Sequence, residues 1–395
     1  MLNVLTFSTL YPNAKQPNFG GFVERQTQRL AARNGVDLRV VAPVGRFPLP
    51  VGPYGELRFL ADVEDRAGLE VHYPQFNLVP MLGWRLNPTL VERAARLAMS
   101  RLERDGFRPD VIDCEFFWPD GPAAVAIGRA LGIPVSIKAR GSDIRFWGAR
   151  APAARRMVAA ADAADGLLAV SEALKDDMVA LGMPAERIRV HYTGVELDAF
   201  VPVDRAEVKR SLGIDGPLLV AAGNLVPLKR VHLVIDALRQ LPEATLIVVG
   251  EGSERQRLVV RAANAGVGNR VRFLGKRPHG ELPRLIGAAD VFVHASSSEG
   301  LANVWIEALA CGTPVVTTKV GGASEVIDRP AAGRLLDSPA PAAIAAAVSE
   351  VISCSYAPAA VREAALRFGW EQNTEVLYTH LCRLTGREPA PLTLA

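Results

Sequence analysis

Cysteine is scarce: Cys114, Cys311, Cys354 and Cys382 lie far apart in 395 residues and form no Cys-x-x-Cys pair. That spacing argues against a disulfide framework or a zinc site and makes a reducing, cytoplasmic setting the default expectation. Long apolar runs are missing as well. No stretch reaches the roughly 18–20 residues that a membrane-spanning helix needs, so any work at a membrane is expected from its surface. The opening MLNVLTFSTLYP has neither a basic start nor a cleavage site, and it reads as a first strand rather than a secretion signal. Charge of one sign is not in excess either. Lys and Arg number 45 against 42 Asp and Glu, a net +3 that gives no support to a nucleic-acid partner. No G-x-G-x-x-G follows the first strand of either half, which disfavours an NAD-dependent oxidoreductase. No DxD-like constellation stands out on a loop, so no metal is expected.

What is present is a folded, two-domain composition. Hydrophobic residues make up 49% and charged residues 22%, and the length suits two α/β domains of about 150–200 residues each. Short β-branched runs alternate with amphipathic stretches, and the alternation occurs twice. The first series has strand candidates at 4–9, 38–42, 69–73, 111–115, 135–139, 167–170 and 188–191, with helical patterns at 23–33, 89–104, 123–131 and 174–181. Pro202, a charged segment and the Gly213/Gly216/Pro217 cluster then break the rhythm, which predicts an interdomain linker over 199–216. The second series has strands at 218–222, 245–249, 271–274, 291–294 and 315–318, between helices at 231–241, 254–265, 282–289, 304–311 and 340–353. Such alternation means parallel sheets covered on both faces: an α/β chain of two doubly wound, Rossmann-like domains facing a central cleft.

The most informative stretch is SSSEGLANVWIEALACGTPVVTTKVGGASEVI, from Ser296 to Ile327. It reads as loop, helix, strand and Gly-rich turn, with Asn303 placed to cap the helix and Gly312 to end it. Glu299 falls in the loop and Glu307 one turn inside the helix. Between them Gly300, Leu301, Ala302 and Asn303 offer backbone N–H groups at a helix start, where a phosphate can bind. A carboxylate near such a turn can hold a ribose diol. On these observations alone a pair of solvated glutamates fits equally well, since charged side chains mostly sit in water.

The segment EGLANVWIEALACGTPVV resembles the E-x7-E motif of the family-4 retaining glycosyltransferases (glycosyltransferase group 1), which have the GT-B fold. The likeness extends to Gly20-Gly21-Phe22-Val23-Glu24 after the first strand, to Val170-Ser171-Glu172, to residues 193–198, to Gly321-Gly322, and to Phe368-Gly369-Trp370. The resemblance implies an acceptor-binding domain over 1–198, a nucleotide-sugar-binding domain over 217–369, and a final helix over 370–395 that returns to the first domain. It implies that Glu307 binds the donor ribose, that Glu299 contacts the transferred sugar, and that the backbone at 300–303 meets hydroxyls and phosphates. Lys229 matches the family's diphosphate-binding lysine, while Asn224 stands where many members have arginine and brings no charge. Gly20, Gly21, Gly250 and Arg277 complete the expected donor contacts, Arg277 through its backbone near the base. A capping box at Ser253 and Gln256 follows Gly250. Many relatives have histidine where this chain has Arg140, which stays protonated and cannot be a general base. It is left to bind phosphate, to orient the acceptor, or to pair with Asp143.

The implied reaction moves a hexose-type sugar from a nucleotide diphosphate, UDP or GDP being expected, to a carbohydrate or lipid-linked acceptor in bacterial-type polysaccharide or glycolipid assembly. It has no cofactor beyond that donor. A sugar-nucleotide epimerase of the same fold and a catalytically degenerate binding protein are the alternatives. Residues 145–157, with Arg145, Phe146, Trp147, Arg150, Arg155, Arg156 and Met157, interleave cations and aromatics, and Leu78, Met81, Leu82 and Trp84 add apolar side chains from an expected loop at 77–88. Together they suit peripheral contact with an anionic membrane, or a loop packed on its own domain.

Overall fold

The computed structural model describes residues 1–47, 55–79 and 81–390, without the side chains of Met81 and Leu82. The chain divides into two compact units, one of Met1–Tyr192 with Glu371–Ala395, the other of Thr193–Trp370.

In the first unit the strands are β1 (Leu2–Phe7), β2 (Val36–Val41), β3 (Val44–Arg46), β4 (Val63–Arg66), β5 (Leu69–His72), β6 (Gln75–Asn77), β7 (Val111–Cys114), β8 (Val135–Ala139), β9 (Gly166–Ala169) and β10 (Ile188–Val190). Eight of them form a sheet in the order β10-β9-β8-β7-β1-β2-β5-β4. All its pairs are parallel except β4 with β5. β1 and β7 are therefore neighbours at the point where the strand order reverses. Sequence reading missed the helix Ala151–Ala163, whose Ala153, Met157, Ala160 and Ala161 are buried at helical spacing. Its alanines are the strongest helix formers, so the signal was there beneath the arginines. The segment 77–88, expected as a loop, ends β6 and contains a short 3-10 turn, Met81–Arg85, before the helix Asn87–Arg104; Pro80 and the Met81 and Leu82 side chains lie outside the described residues.

The last helix, Trp370–Leu384, belongs almost wholly to this unit. Leu377, Tyr378 and Leu381 repeat at one face and join the core of Val4, Leu30, Val40 and Val71. Arg33 stacks on the Tyr378 ring, 3.9 Å from its centroid.

The second unit holds β11 (Leu218–Ala222), β12 (Thr245–Val249), β13 (Val271–Gly275), β14 (Val291–His294), β15 (Val315–Thr318) and β16 (Gly333–Leu336). They run parallel in the order β13-β12-β11-β14-β15-β16, with β11 and β14 at the reversal. β16 has four residues, too short a run to stand out in the sequence. The predicted linker at 199–216 is not a free connection. It contains the helix Arg205–Ser211, capped by Asp204 accepting from the Glu207 N–H at 2.9 Å. Lys209 of that helix bonds Asp290 at 2.9 Å, which fixes it to the second unit. The division between units falls earlier, after Tyr192 rather than 198. Among the described residues no helix is long and apolar enough to cross a membrane.

Candidate functional site

In open parallel sheets ligands bind beyond the carboxyl ends of the strands, where the order reverses. In the second unit that place lies beyond β11 and β14. The turn after β11 runs through Gly223 and Asn224 to a 3-10 turn, Pro227–Lys229. Gly223 and Gly250 both have φ near 140°, and a Cβ on Gly250 would meet the Gly223 carbonyl at 1.9 Å. Only glycine lets these two turns touch. Arg230, in the left-handed region, donates to the carbonyls of Ala295 (3.0 Å) and Ser296 (2.9 Å), and the Ser297 N–H donates to Leu228 at 2.8 Å. These bonds fasten the β11 turn to the β14 loop.

The fastening brings Lys229 to Glu299: Nζ donates to Oε1 at 2.5 Å, with the side chains 20% and 12% exposed. Both are half-sheltered yet reachable, as groups meant for a ligand should be. Asn224 is exposed beside them and lines a small pocket with Lys229 and His294. Behind the Glu299 loop, Gly321 has φ 53° and a Cβ there would meet the Glu299 carbonyl at 1.9 Å, while the Gly322 N–H donates to Gly300 at 2.9 Å. The Gly-rich turn is thus the backing of the loop.

The helix after this loop is Asn303–Ala310, with Ala302 in the cap position and no side chain capping it. Asn303 is therefore its first residue and not its cap, and the helix start keeps N–H groups that no side chain closes off. Gly312, at φ 72°, ends it as expected. Similarly, the helix after Gly250 is Arg255–Asn264, capped by no side chain; the Ser253–Gln256 capping box does not form, because Glu254 occupies the cap position and pairs with Arg257 at 3.0 Å. The Arg277 side chain turns to Glu281 (3.7 Å).

Two histidines that sequence reading passed over complete the group. Buried Glu307 accepts from His279 Nε2 at 3.0 Å, and His279 Nδ1 lies 3.7 Å from Glu196. His294, the last residue of β14, accepts at Nδ1 from Trp305 Nε1 at 2.9 Å. A neutral imidazole that accepts at Nδ1 carries its proton on Nε2, and this Nε2 is 3.6 Å from Glu299 Oε1. Burial pushes His294 from 6.5 down to about 4, Glu299 opposing and Lys229 reinforcing the shift. Below its ordinary value the unfolded chain takes up a proton that the folded chain refuses until about pH 4. His294 therefore contributes stability that is complete above 6.5 and lost as the pH falls toward 4, on the order of 3 kcal/mol in all. His380 in the first unit shifts the same way and Asp120 the opposite way, so the readout is a difference. Thermal melts of His294→Leu should lose less stability than the unsubstituted chain over this pH range; parallel slopes would refute the assignment.

The first unit has its own group at the β1/β7 reversal. Gly20 (φ 72°) is the cap residue of the helix Gly21–Ala31, and a Cβ there would meet the Leu10 carbonyl at 2.4 Å. Arg140, after β8, does not pair with Asp143. Asp143 spends its carboxylate on the backbone N–H groups of Phe117, Arg140, Gly141 and Ile144. The Arg140 guanidinium instead bonds buried Glu115 and lies over the Phe22 ring, 5.1 Å from its centroid. Gln26 links the set, donating to Glu115 and accepting from Lys138 (2.6 Å) and Arg140 (3.2 Å). Burial opposes charge on Glu115, but Arg140 and Lys138 outweigh it and hold its pKa below the ordinary value. Burial, aided by Arg140, drives Lys138 down to about 7, and burial with Glu115 beside it raises Asp113 well up.

Trp147 packs within the first unit against Trp84 (5.7 Å between ring centroids) and Trp118 (6.0 Å), and Arg145 bonds Asp177 at 2.6 Å. Phe146 and Leu86 remain exposed, near Arg85, Arg150 and Arg156, whose guanidinium groups, among the described residues, find rings and carbonyls rather than carboxylates.

Residues 22–199 match the family model Glycosyltransferase Family 4, and residues 204–368 match the model Glycosyl transferases group 1. TuaC of Bacillus subtilis, a glycosyltransferase assigned to teichuronic acid biosynthesis, is 29% identical over 340 residues, covering 83% of this chain and 84% of its own. The D-inositol 3-phosphate glycosyltransferase of Mycolicibacterium gilvum is 33% identical over 59% of this chain, which spans 55% of that relative. Among solved structures, Anabaena HepE in complex with UDP superposes with a TM-score of 0.74 at 21% identity, over 97% of this chain and 100% of that one. The sucrose-phosphate synthase of Thermosynechococcus elongatus does so with a TM-score of 0.78 at 20% identity, over 98% and 100%. Those two likenesses speak for the fold, and the two family models between them take in both units: the chain belongs to the family-4, group 1 glycosyltransferases and has their GT-B fold.

Proposed function

We propose that this glycosyltransferase moves a hexose-type sugar from a nucleotide diphosphate to a carbohydrate or lipid-linked acceptor, with retention at the anomeric carbon and without a metal ion. The observation that carries the reading is the Lys229–Glu299 pair at the strand-order reversal of the second unit. Lys229 supplies the positive charge that the departing diphosphate needs, and the helix start at Asn303 adds oriented N–H groups. Glu299 faces the sugar. Glu307, oriented by His279, holds the ribose, and the backbone at 300–303 and Gly250 lines the path between them. In this reading the acceptor oxygen attacks on the face that the diphosphate leaves, its proton passing to the phosphate oxygen as the sugar–phosphate bond breaks. No covalent sugar–enzyme intermediate forms. Anabaena HepE, solved with UDP and with UDP-glucose, favours UDP as the nucleotide, and the likeness to TuaC, named for teichuronic acid biosynthesis, favours a biosynthetic role. NMR of the product anomer tests retention: an inverted product would overturn this mechanism, and epimerised donor without transfer would favour the epimerase reading.

Arg140 enters as a positioning residue, its guanidinium committed to Glu115. The surface of Phe146, Leu86, Arg85, Arg150 and Arg156 combines exposed apolar groups with cations that have no carboxylate partner among the described residues, which suits the inner face of an anionic membrane. Vesicles containing anionic lipid should sediment the protein, and Arg150→Glu/Arg156→Glu should release it. Equal sedimentation with neutral vesicles would refute an electrostatic contact.

A further inference from the structure

Buried donors nearly always have acceptors, and one left without a partner costs the folded state free energy. His294 is such a case in the second unit. It is buried, its Nδ1 is occupied by the Trp305 N–H, and its Nε2 has no hydrogen-bond partner among the described residues. The groups that face it are Trp305 from the helix, Lys229 from the β11 turn and Glu299 from the β14 loop. The same Glu299 oxygen that sits 3.6 Å from His294 Nε2 accepts from Lys229 at 2.5 Å. Lys229 thus holds the carboxylate just beyond the reach of the imidazole.

We propose that His294 is a positioning residue that takes hold of Glu299 when Lys229 turns to the donor diphosphate. The inference rests on the proposed role of Lys229 and Glu299 in donor binding. An ammonium that serves phosphate withdraws the close cation from Glu299, in a sheltered place where losing that pairing is costly. The Nε2–H of His294 then needs only a shift of well under 1 Å to bring 3.6 Å within hydrogen-bonding range. The imidazole is neutral, so it steadies Glu299 without cancelling the negative charge that the forming sugar cation requires. Trp305 fixes the tautomer that makes this possible. The unpartnered donor of the free enzyme is satisfied in the donor-bound one.

The test uses the full chain labelled with 15N-histidine, titrated with UDP, GDP, ADP and TDP in turn, with a melt recorded for each. In the free enzyme His294, assigned by its absence in His294→Asn, should show protonated Nε2 and bare Nδ1. The nucleotide that raises the melting temperature should move its Nε2–H resonance downfield. A His294→Leu/Trp305→Phe variant removes donor and acceptor together; the smaller ring at fully buried Trp305 lowers its melting temperature, and in the still-folded protein kcat should fall about 10- to 100-fold, the worth of one hydrogen bond to a charged acceptor. His294→Asn, which keeps an N–H donor, should recover part of that loss. A nucleotide that stabilises the protein while leaving the resonance in place overturns the hand-over alone, as does a double variant within about threefold of full kcat. Failure of every nucleotide and nucleotide sugar to stabilise the protein overturns the donor assignment and the hand-over with it.

Discussion

Lys229→Ala should lower kcat by about 10²–10³-fold, the usual loss when one preorganised charge-stabilising donor is removed, with the fold retained. The reason is electrostatic. Asn224, at the position where a second cation would be expected, contributes an amide without charge, and Arg230 is spent on the carbonyls of Ala295 and Ser296. Lys229 is then the cation on this turn left to meet a diphosphate. Glu299→Ala should lose at least as much, since it removes the group proposed to face the sugar and takes from Lys229 its partner at 2.5 Å. Steady-state kinetics with circular dichroism as the folding control decide the matter. Turnover within about threefold of the unsubstituted enzyme in either variant would contradict these roles.

The largest stability effect is expected in the first unit. Arg140→Ala leaves Glu115 fully buried, with Lys138 at 3.9 Å as the remaining cation, which its own burial pushes toward neutrality. Breaking a buried pair from one side typically costs about 3–5 kcal/mol, so the variant should melt far below the unsubstituted protein. Arg140→Met/Glu115→Gln, which removes both charges, should recover much of that stability. A single variant that melts like the unsubstituted chain would show that the guanidinium is not what compensates Glu115.

This pair also marks where the sequence stopped being readable. Pairing with Asp143, three residues on, is one of the roles the sequence leaves to Arg140, but a carboxylate in that tight turn is consumed by nearby backbone N–H groups. The true partner, Glu115, lies 25 residues away, just past the neighbouring strand β7, and Gln26 is further still. Only the sheet order β8-β7-β1 brings them together. His294 and His279 escaped for the same reason: one looked like the end of an apolar strand, and the other meets Glu307 across 28 residues. By contrast Glu299, Lys229 and the glycine turns were visible because each belongs to a short strand–turn–helix segment whose chemistry is local. The helix at Arg205–Ser211 could have been found, since Asp204 and Glu207 stand in capping positions; the prolines and glycines around it drew the reading toward a linker.

The central claim is that the second unit binds a nucleotide sugar through Lys229 and Glu307, and thermal shift against UDP-, GDP-, ADP- and TDP-sugars tests it most directly. A ligand at 100 times its Kd adds about 2.7 kcal/mol to folding stability. The melting temperature should rise clearly with one nucleotide class, a UDP-sugar first, and little or not at all in Lys229→Ala and Glu307→Ala. No rise with any donor, or an equal rise in both variants, would contradict it.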